Sequence, residues 1–438
     1  ASHSRTTSGG GRQTSGGNNS SGNRNTGGTR PPMDAAAYNK QGDDFFDGGK
    51  YDQAAESYKQ AIKLRADYAE AYLNLGETYF NLGRYDDAIA ADNQAISLNL
   101  KTADAYRALG LAQLQKNNLP EAIAALQRAN ELNGNDADVR NALGLAYYDQ
   151  GVAAYNANNY PDAVARYQDA IKIKPDYAEA YNNLGDTYRQ SNKVPEAIEA
   201  YKHAVGIKSN LLEAHSNLSM MYDELGRYPE AVESYKQVIR LKPDDAEANN
   251  NMGYALGKSK RWAEAVVAFQ RAIQLKADYA EAYSNLGWAY NNLKNFQSAL
   301  QPLKKAIELK PSLPEGHFNI GITYSRLAEK ATTPDYKQQA LAEFQQTIQL
   351  KPAWPAAQNN LGFAYGNLGK WKEAIAAHQE AIRLKPDYAG AHFNLGVAFL
   401  ASKKKKEAET ELKTLQPLDA GLWTQLYVMI YQKTPPKK

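Results

Sequence analysis

The sequence repeats itself. The stretch AEAYLNLGETYFNLGRYDDAIAADNQAISLN from Ala69 returns as AEAYNNLGDTYRQSNKVPEAIEAYKHAVGIK from Ala178 and as AEAYSNLGWAYNNLKNFQSALQPLKKAIELKP from Ala280. The period is 34 residues, and eleven units begin at Ala35, Ala69, Ala103, Ala137, Ala178, Leu212, Ala246, Ala280, Pro314, Pro355 and Ala389. Self-similarity of this kind rules out one central core. Each unit must bury its apolar face against its neighbours in sequence, so the chain grows in one dimension.

Each unit reads as two amphipathic helices joined by a short turn. Numbering positions within a unit, the first helix places Tyr, Leu, Gly and Tyr at 4, 7, 8 and 11, as in Tyr72, Leu75, Gly76 and Tyr79. That spacing makes one apolar helical face. Position 20, in the second helix, is alanine in all eleven units, from Ala54 to Ala408. Position 8 is glycine in ten units and Ser219 in the other. Small residues at both places let two helix backbones approach closely, where larger side chains would overpack. Proline closes several units, as at Pro175, Pro243, Pro311, Pro352 and Pro386, and keeps the residue before it out of a helix. The units at 137–177 and 314–354 each run to 41 residues. Seven extra residues make about two helical turns, so a helix can lengthen there without losing the phase of its faces. Because the long units lie five units apart, they suggest an older duplication of a five-unit block.

These residue types at these positions resemble the tetratricopeptide repeat (TPR) family over residues 35 to about 416. The resemblance implies an all-α fold: a right-handed superhelical solenoid of helix-turn-helix units. Three segments are expected. Residues 1–34 are a Gly/Ser/Asn/Thr-rich tail, 35–418 the eleven-repeat solenoid, and 419–438 a capping helix with a short Lys/Pro end. In the cap, Leu422, Leu426, Met429 and Ile430 are expected to face inward. Trp423, Tyr427 and Tyr431 form a second apolar stripe, a candidate subunit contact.

Several functions are disfavoured. A net charge of +3 is not the footprint of a nucleic-acid binder. No apolar run reaches the length of a membrane helix. The absence of cysteine excludes thiolate metal sites and cysteine nucleophiles. There is no P-loop, no dinucleotide glycine fingerprint and no HExxH. His215, His317 and His392 fall at packing position 4, His378 at packing position 24, and His203 on the expected surface. Acids at position 2, including Glu70, Glu179, Glu213, Glu247, Glu281 and Glu315, suit helix starts, where the dipole favours negative charge. The Lys403–Lys406 run reads as a solvated turn. The expectation is a non-enzyme with no cofactor and no metal.

The pattern that stands out is asparagine at position 6: Asn74, Asn183, Asn217, Asn251, Asn285, Asn319, Asn360 and Asn394. An asparagine side chain offers an acceptor and two donors, and so can pair with both groups of a peptide bond whatever the side chain beside it. The row resembles the asparagine-lined TPR superhelix of O-linked N-acetylglucosamine transferases, which implies a concave groove holding an extended peptide. In the family's register, position 9 adds Leu111, Leu145, Met220, Tyr254, Trp288, Ile322, Phe363 and Val397, and position 5 adds Phe318 and Phe393. Aromatic anchors are typical of binding hot spots, which singles out Tyr254, Trp288, Phe318, Phe363 and Phe393. The carboxylate-clamp pattern of chaperone adaptors is not met, since Asn39, Leu73, Arg107, Asp43, Glu77 and Leu111 occupy those positions in the first three units.

The tail holds Arg5, Arg12, Arg24 and Arg30 and no acid, and it lacks the apolar residues to build a core. A groove that reads backbone suits such a segment. The favoured expectation is therefore a protein-interaction scaffold that self-assembles, the tail of one subunit docking on the next to give a homo-oligomer or filament. The alternatives are an adaptor for an extended segment of a different protein, and a TPR subunit of an enzyme complex. Asn18 and Asn19 are candidate glycosylation sites. A chain starting at Ala1 with this tail fits an exported protein.

Overall fold

The computed structural model describes residues 33–329 and 335–432. The tail with Asn18 and Asn19, and the Lys/Pro end, lie outside the described residues. The chain divides into two compact units, Ala1–Val139 and Arg140–Lys438. Among the described residues every regular element is an α-helix.

The first unit holds three helix pairs: α1 Ala35–Asp47 with α2 Tyr51–Leu64, α3 Ala69–Asn81 with α4 Tyr85–Ser97, and α5 Ala103–Gln115 with α6 Leu119–Leu132. Next come α7 Ala137–Asn156 and α8 Tyr160–Ile173, α9 Ala178–Gln190 and α10 Val194–Ile207, then α11 Leu212–Glu224 and α12 Tyr228–Leu241. The stack continues with α13 Ala246–Lys258 and α14 Trp262–Leu275, α15 Ala280–Asn292 and α16 Phe296–Leu309, and α17 Pro314–Ala328 and α18 Asp335–Leu350. It closes with α19 Pro355–Asn367 and α20 Trp371–Leu384, α21 Ala389–Ala401 and α22 Lys405–Leu418, and a single last helix, α23 Ala420–Tyr431.

One packing device recurs along the chain. The position-20 alanines are buried in all eleven units. In most pairs the position-24 side chain of the second helix lies across the bare face of the position-8 glycine; Ser219 replaces that glycine in α11, and Gly396 is covered by Leu426 of α23 instead. A Cβ on Gly185 would sit 2.6 Å from the ring of Tyr201, and one on Gly253 would sit 2.7 Å from Phe269. These rings are fully buried, so such a pair closes around one large side chain where glycine leaves room. Among the described residues ten of the turns inside pairs pass through the left-handed region at unit position 15. Glycine fills it at Gly49, Gly83, Gly226 and Gly369, asparagine at Asn117, Asn158 and Asn192, and lysine at Lys260, Lys294 and Lys403. Two backbone hydrogen bonds close this turn, as in Lys50 N–H to Phe45 C=O at 2.8 Å and Gly49 N–H to Phe46 C=O at 2.9 Å.

The two long units differ from each other. In the first, the extra residues extend α7 to 20 residues. The glycine under Tyr167 is Gly151, not Gly144. Two turns have therefore been added ahead of the packing register, and this corrects the placement of Leu145 at position 9, where Val152 stands. In the second, Gly321 keeps its place under Phe344, and α17 and α18 lengthen to 15 and 16 residues around the connection between them. Insertions at different points do not support copies of one five-unit block.

Within each unit the stack has an inner side. First helices of successive pairs touch one another, as α3 touches α5 and α15 touches α17, whereas second helices make no comparable contact. The stack therefore curves with the first helices inside. At the far end α23 packs on α21 and α22, with Leu426 and Ile430 buried and Leu422 half-buried. Met429, expected inward, is 52% exposed, because the inward row follows 422, 426 and 430 and turns 429 to the opposite side. Trp423, Tyr427 and Tyr431 stack in a column with ring centroids 5.3 and 4.8 Å apart.

Candidate peptide-binding groove

The position-6 asparagines form a ladder between repeats. Asn285 Nδ2 donates to Asn250 Oδ1 at 3.0 Å, Asn319 Nδ2 to Ser284 Oγ at 3.3 Å, and Asn394 Nδ2 to Asn359 Oδ1 at 3.0 Å. Asn217 Nδ2 donates to Asn182 Oδ1 at 3.2 Å, and Asn183 Nδ2 to the Tyr148 hydroxyl at 2.8 Å. In the first unit Asn74 reaches Asn39 in the same way. Each donor sits at position 6 and each acceptor at position 5 of the preceding repeat. Asn319 is buried and the others are half-buried. Part of each amide is thus committed to holding adjacent first helices in register.

Two repeats extend the ladder into a network. Asp186 accepts from the Tyr201 hydroxyl at 2.7 Å and from Asn217 Nδ2 at 3.0 Å. Asp43 accepts from Tyr58 and Asn74 at 2.8 and 3.1 Å. Burial pushes the Asp186 carboxyl up, against the opposing pull of the Tyr201 hydroxyl.

Asn360 departs from the pattern. Position 5 of the preceding repeat is Phe318, which carries no acceptor, and Asn360 has no hydrogen-bond partner among the described residues. Asn251 accepts from Asn250 Nδ2 at 3.2 Å.

The inner face of the second unit opens into a cleft of about 890 Å³ across α13, α15, α17 and the start of α19. Its apolar wall is Tyr254, Trp288, Phe296, Phe318, Ile322 and Trp354. Trp288 stacks on Tyr254 at 5.7 Å, meets Trp262 edge-on at 4.8 Å, and lies against Gly257, where a Cβ would come within 2.5 Å of its ring. Phe318 packs on Trp354 at 4.4 Å. Asn285, Asn319 and Asn291 supply the polar wall. Asn291 spans α15 and α17, donating to Asn319 C=O at 3.0 Å and accepting from Thr323 Oγ1 at 2.9 Å.

Of the residues singled out in the sequence, the structure brings Asn285, Asn319, Tyr254, Trp288 and Phe318 into this one cleft. Asn183, Asn217, Asn251, Asn360, Asn394, Phe363 and Phe393 do not line it. Phe363 is 37% exposed, and Phe393 packs against the last core cluster around Leu395 and Leu426. Asn74 belongs to the first unit. The sequence reading missed Trp354, Phe296 and the charged rim of Lys258, Lys294, Arg326, Glu315 and Glu329. A signal for Trp354 was present, since Tyr68, Tyr177, Tyr279 and Tyr388 hold the same unit-final position.

His317, His378 and His392 are tied into the packing by side-chain partners. His317 Nδ1 meets Glu343 at 2.6 Å and Nε2 meets Pro311 C=O at 2.9 Å. His392 repeats this with Glu411 and Pro386 at 2.6 and 2.9 Å. Both rings thus sit between a carboxylate and a backbone carbonyl. Burial pulls His317 down, but Glu343 and the Pro311 carbonyl outweigh it and its pKa is raised. Burial drops His378 to about 4, so it is neutral and donates from Nδ1 to Asn359 Oδ1 at 2.9 Å. No grouping of three or more His, Asp or Glu side chains suited to a metal occurs among the described residues. No described helix is long and apolar enough to cross a membrane.

TPR-family models match residues 42–83, 114–151, 221–260 and 367–402 (TPR repeat) and residues 148–211, 244–312 and 69–102 (tetratricopeptide repeat). Together they span well over half of the chain, which belongs to the tetratricopeptide-repeat family. Among solved structures it is similar to the APC/C hetero-tetramer Cut9-Hcn1, at 14% identity over 91% of this chain and 96% of that one, TM-score 0.49. It is also similar to yeast Tom70, at 16% identity over 91% and 94%, TM-score 0.40. A MamA structure shares 31% identity over 38% of this chain and 94% of that one, TM-score 0.31. No curated protein matches in sequence.

Proposed function

We propose that the chain is a non-catalytic protein-interaction scaffold that holds an extended polypeptide segment on the inner face of its second unit. The observation that carries this reading is the cleft itself. Five aromatic rings, Tyr254, Trp288, Phe296, Phe318 and Trp354, line the same cleft of about 890 Å³ as the amides of Asn285 and Asn319. Apolar anchor surface with a few placed polar groups is what a peptide-binding site requires. The ladder bonds leave each such amide with fewer free groups than a bare row would have, so the aromatic wall supplies most of the affinity and the asparagines supply orientation. The test is selection of a random extended-peptide display library on the full chain. Enriched peptides should crosslink to a photoreactive residue placed at Ile322. Absence of any enriched peptide would refute the reading.

Self-assembly is a second reading. It is favoured by α23, where Val428 and Met429 are 42% and 52% exposed beside the aromatic column. Sedimentation velocity across concentration tests it. Association that Met429→Glu abolishes supports it, and a monomer at every concentration refutes it. Docking of the N-terminal tail on a neighbouring subunit, export and glycosylation remain proposals of this second reading. Comparison with a chain lacking residues 1–33 in the same experiment, and intact mass against 48.3 kDa, test them.

A further inference from the structure

The cleft carries a charge pattern that narrows its ligand, and this inference rests on the scaffold reading above. Five charged residues form its rim. Both acids are already neutralised: Glu329 pairs with Arg326 at 2.8 Å, and Glu315 with Lys351 at 3.2 Å. Among the described residues neither Lys258 nor Lys294 has a carboxylate within ion-pair distance, although Lys258 lies near enough to Asp223 to pull its carboxyl down against the burial that raises it. Lys258 stands over the Tyr254 ring at 5.5 Å and the Tyr228 ring at 5.9 Å. Lys294 is exposed and is fixed at the left-handed position of the turn between α15 and α16, with φ of 59°. The same turn position also holds lysine at Lys260 and Lys403, and glycine or asparagine in the other described turns.

Beyond Phe318, the repeat register puts Asn360 next along the groove, with its amide uncommitted. The aromatic wall and the two lysines line the cleft, and Asn360 stands on the first helix of the next repeat. We propose that the cleft takes an aromatic or large aliphatic side chain of an extended partner segment whose neighbouring residues are acidic, with the partner's main chain pairing to Asn360.

The experiment uses the full chain and a random heptapeptide display library, followed by titration with the best enriched peptide. Wild-type protein should enrich peptides that join a Phe, Tyr, Trp or Leu to flanking Asp and Glu. The double variant Lys258→Glu/Lys294→Asp should keep the apolar preference and exchange the acidic one for basic residues. Aspartate is chosen at 294 because it tolerates the left-handed conformation. The acidic peptide should lose affinity about tenfold, the scale of two surface ion pairs. Lys260→Glu, at a turn outside the cleft, should change nothing, and Asn360→Ala should weaken every enriched peptide alike. Enrichment without acidic residues, or a preference unmoved by the double variant, overturns this inference and leaves the scaffold reading standing. No enrichment of any peptide overturns both.

Discussion

Asp92 occupies position 24 of its repeat, where Tyr58, Tyr167, Tyr201 and Tyr235 stand in others. It is 1% exposed, and its Oδ1 is buried without a hydrogen-bond partner. In the repeats at Ala35 and Ala178 the position-24 hydroxyl donates to an aspartate at position 9. Here position 9 is Glu77, so two acids face each other. Burial, with Glu77 adding to it, pushes Asp92 up to about 8. The carboxyl is therefore protonated in the folded protein at neutral pH and ionised in the unfolded chain. The unfolded chain binds fewer protons, so stability falls as pH rises from about 4 to about 8 and is level outside that window. The slope is about 1.4 kcal/mol per pH unit, or roughly 4 kcal/mol of local stability lost by pH 7. Asp92→Asn removes the titration at nearly constant shape. Hydrogen exchange of α3 and α4, corrected for the chemical exchange rate, should give equal opening energies for the two proteins near pH 4. Asp92→Asn should lead by about 3 to 4 kcal/mol at pH 7. Segments of the second unit serve as the internal control. A difference between the two proteins that does not change with pH would refute the reasoning.

Three further outcomes are expected. Glu343→Gln should cost about 1–3 kcal/mol in the pair α17–α18 at pH 6 and progressively less as pH rises through the raised value of His317, because a raised histidine stabilises only while protonated; exchange of that pair at pH 6 and pH 8.5 reads it. Gly185→Ala should destabilise α9 and α10 by about 1–3 kcal/mol, since its Cβ would meet the fully buried Tyr201 ring at 2.6 Å; urea unfolding measures it. Lys260→Gly should stabilise by about 1 kcal/mol, because Lys260 holds φ of 61°; the same urea titration shows the gain.

The sequence by itself determined the repeat. Alanine at position 20 and, in ten units, glycine at position 8 recur at 34 residues because two helices must approach closely within a pair, and that demand is local enough to be written unit by unit. Burial of His215, His317, His378 and His392 followed from the same register. Tertiary structure decided what the groove does with its asparagines. Position 6 faces position 5 of the preceding repeat, so whether an amide is committed depends on another repeat's side chain: Asn359 for Asn394, Ser284 for Asn319, and nothing for Asn360. The cleft was legible only in part for the same reason. Tyr254, Trp288 and Phe318 belong to three successive first helices, and Trp354 to the linker before a fourth, so their meeting reflects how repeats stack. The seven residues added to α7 show the limit of counting. Spacing placed the packing glycine at Gly144, but a two-turn extension keeps the same helical face, and only packing against Tyr167 identifies Gly151.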